Sequence, residues 1–254
     1  MTTRLRFLPR APISGSTITF MSLPSSYTNP YVVAESDEVV RSQFIRRTYL
    51  HLGGAILAFA ALEAWLLTQQ WALNLAAGML NMWIVVLLAF IGISWVANWF
   101  AHSNTSIGMQ YFGLGLFVVA EAIIFLPILA LAAFQVGGDV IAKAGMMTLG
   151  LFLGLTAVAL TTKANFSFLG GFLKVAFFVA LGLIAVALMF PGSFTLGTWF
   201  SVAMVIVAGA AILYTTSGML HEYRPDQHVA ASLSLFASVA MMFWYILRIF
   251  MNRN

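Results

Sequence analysis

Long apolar stretches separated by short polar segments run along most of the chain. Because a helix needs about 20 mostly apolar residues to cross a bilayer, we predict seven membrane-spanning helices. The predicted spans are Tyr49–Gln69, Trp83–Ala101, Tyr111–Phe134, Ala144–Thr162, Phe172–Phe190, Gly197–Ser217 and Val229–Phe250. These stretches are too long for the strands of a membrane barrel, which alternate over about 10 residues. The pattern therefore predicts an all-α integral membrane protein.

The composition agrees with a membrane location and narrows the possible chemistry. Of the 254 residues, 61% are hydrophobic and only 8% are charged, whereas a soluble domain is about 25% charged. The chain has no cysteine, which excludes disulfides, thiolate metal sites and cysteine nucleophiles. It has no phosphate-binding loop or serine-nucleophile motif. We therefore expect no enzyme activity, no cofactor, no metal site and no nucleic acid, and the lipid bilayer as the first partner.

The distribution of basic residues along the chain predicts its orientation in the membrane. With the N-terminus in the cytoplasm, nine of the twelve Lys and Arg residues lie on the cytoplasmic side, where basic residues collect. Residues 1–45 are predicted to be a disordered cytoplasmic tail, followed by a membrane domain over residues 46–254. The first 34 residues contain Arg and Ser but no acidic residue, as in an organelle transit peptide. We expect a bacterial cytoplasmic membrane, with an organelle membrane as the alternative.

Four segments resemble those of the Bax inhibitor-1 family (transmembrane Bax inhibitor motif proteins). They are Phe44–Gly54 (FIRRTYLHLGG), Leu160–Leu173 (LTTKANFSFLGGFL), Ile212–Tyr223 (ILYTTSGMLHEY) and Ala231–Phe250 (ASLSLFASVAMMFWYILRIF). The resemblance implies seven transmembrane helices, six of them surrounding a central C-terminal helix. It also implies a choice of roles: a pH-sensitive calcium leak channel, a suppressor of cell death or, in bacteria, a partner of a membrane-bound ATP-dependent protease.

The pH-sensing aspartate pair of the leak-type members has no counterpart in this chain. Its two positions, at the end of the sixth span and in the seventh, resemble Thr215 and Ala237. Two close carboxylates share a proton and so respond to pH, whereas Thr and Ala do not ionise. An arginine of the second span is also missing, because no Lys or Arg lies between Arg47 and Lys143. We therefore expect the family's pH latch to be absent.

Glu121 is the main candidate for chemistry. It lies ten residues into the third predicted span, about 15 Å along the helix and near the bilayer centre. A carboxylate is costly there and usually functional. We expect Glu121 to be neutral at rest and to form a proton or cation site. The alternative is a protonated side chain that donates one interhelical hydrogen bond. Pro127 follows it and either kinks the helix near a possible ion path or is a tolerated bend.

The seventh span carries a weakly polar face of Ser234, Ser238 and Tyr245, at i, i+4 and i+11. This face either lines a hydrated cavity or forms interhelical hydrogen bonds. Glu63, near the end of the first span, is expected to reach headgroup water. The segment HEYRPDQH, at 221–228, is expected to be a solvated loop, and Gly150 with Gly154 predicts close helix packing.

Two functions follow. The first is a pH-influenced leak channel for calcium or protons, with Glu121 in place of the aspartate pair. The second is a regulator that does not transport and binds another membrane protein, such as the membrane-bound ATP-dependent protease. The missing aspartate pair favours the regulator, and Glu121 favours the channel.

Overall fold

The computed structural model describes residues 32–102, 106–162, 164–190 and 196–252. In this part of the chain the long elements are all α-helices. They are α1 (Glu38–Leu66), α2 (Gln70–Asn81), α3 (Trp83–Ala101), α4 (Ile107–Leu131), α5 (Asp139–Thr161), α6 (Leu169–Met189), α7 (Thr198–His221) and α8 (His228–Met251). A 3₁₀ turn, Val33–Glu35, precedes α1, and a π-helical segment, Ala132–Gly137, continues α4.

Seven of these helices are long and apolar enough to cross a membrane, which confirms the number of predicted spans. The remaining helix, α2, was not predicted. Its 12 residues reach only about 18 Å, too short to cross a bilayer. The first span also begins earlier than expected, because α1 starts at Glu38, within the part of the chain assigned to the tail. Most of that predicted tail, residues 1–31, lies outside the described residues.

The spans alternate in direction, which gives the bundle two faces. The start of α1 and the ends of α3, α5 and α7 lie on one face, here called the entry face. The opposite face, here called the far face, carries α2 and the end of α8. Ring contacts show this arrangement directly. Trp83 at the start of α3 stacks on Trp244 near the end of α8, with centroids 6.1 Å apart, and His51 and His228 meet at the entry face.

α4 and α8 are the most buried spans. α8 packs against α1, α3, α4, α5 and α7, whereas α6 packs mainly against α7 and exposes most of its surface. The core therefore surrounds a pair of buried helices. The arrangement of six helices around α8 alone stays a prediction.

α3 and α4 approach each other closely at Gly113. A Cβ atom there would lie 2.5 Å from the Ala101 nitrogen and 2.6 Å from the Ala97 oxygen. Ala97 and Ala101 are fully buried, so α3 and α4 meet through three small residues. The prediction of close packing at Gly150 and Gly154 is wrong, because both are exposed on α5 and a Cβ on either would meet nothing within 4 Å.

Candidate functional site

Glu121 lies near the middle of the apolar stretch Ile107–Gly137 and is 6% exposed. Its side chain lines a cavity of about 560 Å³. The cavity lies between α3, α4 and α8, with contributions from α6 and α7, and extends from Glu121 toward the far face. We call it the Glu121 cavity. It is lined by Trp83, Leu87, Phe90, Ser94, Phe117, Glu121, Ile124, Phe125, Ile184, Ala187, Leu196, Phe200, Ala237, Met241, Trp244, Tyr245 and Arg248.

The carboxyl of Glu121 has neither an ion pair nor a hydrogen bond with any side chain of the described residues. The ion pairs found there are Lys143–Asp139 at 2.6 Å and Arg224–Asp226 at 3.1 Å, both on exposed surface. The single interhelical hydrogen bond of the structural alternative is therefore not formed in this conformation. Because a carboxylate without a partner in an apolar environment is costly, the neutral acid is the favoured form.

Three polar side chains share the cavity with Glu121. The hydroxyl of Ser94 on α3 is buried and makes no hydrogen bond to the described residues. Tyr245 and Arg248 on α8 line the cavity toward the far face. The Arg248 guanidinium donates a long hydrogen bond of 3.5 Å to the backbone oxygen of Leu196. The cavity therefore holds one carboxyl near its deep end and one fixed cation near the far face.

A layer of phenylalanine rings lies on the entry side of the cavity. The ring of Phe236 on α8 packs edge-on against Phe117 on α4, with centroids 6.1 Å apart. It also packs edge-on against Phe59 on α1, at 6.0 Å. Both Phe117 and Phe236 are buried. These rings separate Glu121 from the polar residues at the entry face, so a continuous polar path would require them to move.

The two positions that resemble the aspartate pair lie on the neighbouring helices α7 and α8. The hydroxyl of Thr215 is 3.5 Å from the hydroxyl of Ser238, the residue that follows Ala237. Ala237 lines the Glu121 cavity instead. Because hydroxyl groups do not ionise near neutral pH, this contact holds α7 and α8 together without a titratable group.

The predicted polar face of α8 was expected either to line a cavity or to form hydrogen bonds. Each alternative holds for part of it. Ser238 also donates to the backbone oxygen of Ser234 at 3.0 Å, and the Ser234 hydroxyl is 2.9 Å from the Tyr223 hydroxyl. These two serines are therefore engaged in local and interhelical hydrogen bonds. Burial raises the pKa of Tyr223, in the α7–α8 connection. Only Tyr245 lines the cavity, where its ring packs edge-on against Phe200 at 5.9 Å.

Pro127 does not contribute to the Glu121 cavity. It is buried within α4 and lines a separate small cavity against α2. α4 continues through it to Leu131, so the proline is accommodated within the helix.

Two expectations about surface residues are wrong. Glu63 does not reach solvent, because it is 4% exposed and lines a second cavity. His228, which was assigned to a solvated loop, is the first residue of α8 and is also 4% exposed. Its ring lies 5.0 Å from that of His51, whose Nε2 atom is 2.8 Å from the Tyr111 hydroxyl. The sequence gives no local signal for this cluster, because its members lie on three helices.

Among the residues that the structure describes, no group of three or more His, Cys, Asp or Glu side chains could hold a metal ion. Of the described residues that line its cavity, Glu121 is the one carboxylate. What the Glu121 cavity offers chemically is one buried acid, one basic side chain and two hydroxyl groups.

Comparisons with known proteins agree on one family. The family model described as "Inhibitor of apoptosis-promoting Bax1" matches residues 41–254. An uncharacterized protein of Pseudomonas aeruginosa is 34% identical, over 86% of this chain and 92% of its own length. Bax inhibitor 1 of Schizosaccharomyces pombe is 27% identical, over 88% of this chain and 81% of its own. Protein lifeguard 4 of Mus musculus is 24% identical, over 89% and 92%.

Proposed function

Because the chain belongs to the Bax inhibitor-1 family of membrane proteins, we propose that it is a leak pathway for protons, with Glu121 as the group that accepts and releases the proton. The observation that carries the proposal is the position of this carboxyl. It is buried at mid-membrane depth, lines a large cavity and has no partner in the described structure. A carboxyl in these surroundings changes protonation state when water or an adjacent hydroxyl reaches it.

The surroundings of Glu121 favour protons over calcium. Calcium takes six to eight oxygen ligands, and Glu121 supplies only two carboxylate oxygens to its cavity. The fixed charge of Arg248 near the far face also opposes the entry of a divalent cation. A proton needs only one acceptor and a short chain of hydroxyl groups or water. Tyr245 and Ser94 are the hydroxyl groups that line the same cavity.

A second candidate function is that of a regulator that does not transport and binds a membrane-bound ATP-dependent protease or another membrane protein. The contact between Thr215 and Ser238 favours it, because this contact puts two hydroxyl groups at the interface where a titratable pair would open and close the bundle. Neither candidate is an enzyme.

We place the protein in the bacterial cytoplasmic membrane, with the entry face toward the cytoplasm. Several relatives are bacterial, and the described residues near the entry face include Arg41, Arg46 and Arg47, as the distribution of basic residues in membrane proteins favours. Because the chain has no cysteine, single-cysteine variants at Gln43 and Asn252 test this directly. Maleimide that does not cross the membrane should label only the Asn252→Cys variant on intact cells. Labelling of Gln43→Cys alone would reverse the orientation.

The proton leak is tested in liposomes that contain purified protein and an internal pH dye. A pH step should dissipate faster than in empty liposomes, and Glu121→Gln should reduce the rate to that of empty liposomes. Glu63→Gln is the matched control, because it removes an equally buried carboxyl from another cavity. A calcium dye in the same liposomes should report no flux.

Folded wild-type protein without proton flux above empty liposomes would contradict the proposal and leave the regulator as the better candidate. Co-purification of a membrane protease from cells would then be the next measurement. Calcium flux that depends on Glu121 would contradict the restriction to protons.

A further inference from the structure

A second cavity lies on the other side of α8 from α3, between α1, α5 and α8. Its volume is about 360 Å³, which lies within the usual range for small-molecule sites. We call it the Glu63 cavity. Its lining residues are Ile56, Phe59, Ala60, Glu63, Ala64, Leu67, Leu129, Ile141, Gly145, Thr148, Leu149, Phe152, Val239 and Phe243.

The wall of the Glu63 cavity is apolar apart from two side chains. The hydroxyl of Thr148 donates to the backbone oxygen of Ala144 at 2.7 Å, so its donor is already used. The other polar group is the carboxyl of Glu63. None of the described residues that line this cavity is basic, which distinguishes it from the Glu121 cavity and its Arg248.

The carboxyl of Glu63 is buried and unsatisfied. The residue is 4% exposed, and neither carboxyl oxygen has a hydrogen-bond partner in the described part of the chain. Burying a polar group without a partner costs free energy that packing alone does not require. A leucine or methionine would fill the same position on α1 at no such cost. A donor that enters the cavity from outside the chain would satisfy this carboxyl.

We propose that the Glu63 cavity binds a lipophilic primary amine with a single hydrocarbon chain, with its ammonium group on Glu63. An ammonium has three donors and complements the charge of the carboxylate. The apolar wall takes up the hydrocarbon, and each buried methylene adds about 0.8 kcal/mol. A phospholipid with two acyl chains and a phosphate fits neither the volume nor the acidic group.

The depth of Glu63 matches the way such an amphiphile lies in a membrane. Glu63 lies one turn before the end of α1, where the exposed rings of Trp65 and Trp71 pack edge-on at 6.0 Å. Exposed tryptophans of this kind mark the membrane–water interface. The rest of the cavity extends from Glu63 toward the bilayer centre, as far as Phe152, whose ring packs against Tyr49 at 6.3 Å. An amine bound at Glu63 would keep its head near the interface and its chain in the membrane core.

The proposal is tested with radiolabelled dodecylamine and purified protein in phosphatidylcholine nanodiscs, with empty nanodiscs as the background. Unlabelled dodecylamine should displace the label, whereas dodecanol and dodecanoic acid should compete at least about tenfold more weakly, since they lack the positive charge. Glu63→Gln should weaken dodecylamine binding about tenfold or more. Glu121→Gln should leave it unchanged.

A second variant separates loss of the site from loss of the fold. Gly145→Leu adds a side chain to a residue that lines the cavity, at a position where the new Cβ meets nothing within 4 Å, and it should abolish saturable binding. Equal competition by dodecanol on the wild-type protein would overturn the proposal. Unchanged binding in folded Gly145→Leu or Glu63→Gln protein would overturn it too. None of these results bears on proton flux through Glu121, so the two proposals fail independently.

Discussion

The two buried glutamates of this bundle have almost the same exposure and very different neighbours. Glu121 is 6% exposed and Glu63 is 4% exposed, and each lines a cavity in the membrane domain. The Glu121 cavity also contains an arginine, a tyrosine and a serine. Among the described residues, the Glu63 cavity has one other polar side chain, that of Thr148, whose hydroxyl is bonded to its own helix.

Burial alone therefore does not assign a role to a carboxyl in a membrane. Where other polar groups line the same cavity, they can take the proton from the carboxyl, and a role in proton transfer is favoured. Where the wall is apolar, a ligand that brings its own donor and fills the apolar space would satisfy the carboxyl. Each of the following substitutions changes one of the two cavities or its surroundings and should leave the other cavity unchanged.

The largest effect is expected from reversing the charge in the Glu63 cavity. Glu63→Lys should exchange the ligand preference, with dodecanoic acid bound more tightly than dodecylamine, because like charges brought together cost several kcal/mol. The ratio of the two affinities should change by about a hundredfold or more. Competition binding in nanodiscs measures it. Glu121→Lys is the matched control and should keep the amine preference; a lost preference in that variant would contradict the separation of the two cavities.

A smaller effect is expected from the contact between α3 and α4 at Gly113, two helices that also contribute to the Glu121 cavity. Gly113→Ala forces α3 away from α4, because the new Cβ would lie 2.5 Å from the Ala101 nitrogen. The free energy of unfolding should fall by about 1–3 kcal/mol, as for other overpacked sites. The loss is measured by thermal unfolding in detergent and compared with that of Gly150→Ala, whose new Cβ on the exposed face of α5 meets nothing within 4 Å. Equal losses in the two variants would show that the close approach at Gly113 does not stabilise the contact between α3 and α4.

The smallest effect is expected at the α7–α8 interface. Thr215→Val removes the hydroxyl that contacts Ser238 and should cost about 0.6 kcal/mol, the average for an interhelical hydrogen bond in a membrane protein. The pH dependence of proton flux should stay that of the wild type, because neither hydroxyl titrates. Liposome flux at several pH values checks this. A shift in the pH profile of the flux would indicate that the pH response arises at the position of the family's aspartate pair.

The number of spans could be predicted from the sequence because span length and hydropathy are local properties. Six of the seven spans begin and end close to the predicted bounds. The helix α2 could not be predicted as a membrane span, because its 12 residues are too few to give a membrane-span signal. The earlier start of α1 escaped prediction because its polar first turns lower the hydropathy of any window that contains them.

The candidate site could be predicted only in part, because it depends on which helix face meets which neighbour. Glu121 was singled out by its depth alone, and that expectation needed no tertiary information. The burial of Glu63 depends on α5 and α8, which are distant in the sequence. The small residues at Gly113 and at Gly150 look alike in the sequence, yet only Gly113 meets a partner helix. Packing decides between them.

The separate roles of the two glutamates are tested most directly by measuring two properties on each of two variants. Proton flux in liposomes and dodecylamine binding in nanodiscs are measured for Glu121→Gln and for Glu63→Gln, with thermal unfolding as the check on folding. The account predicts that Glu121→Gln loses flux and keeps amine binding, whereas Glu63→Gln keeps flux and loses amine binding. Variants that lose both activities together while still folded, or that lose neither, would contradict the assignment of separate roles to the two glutamates.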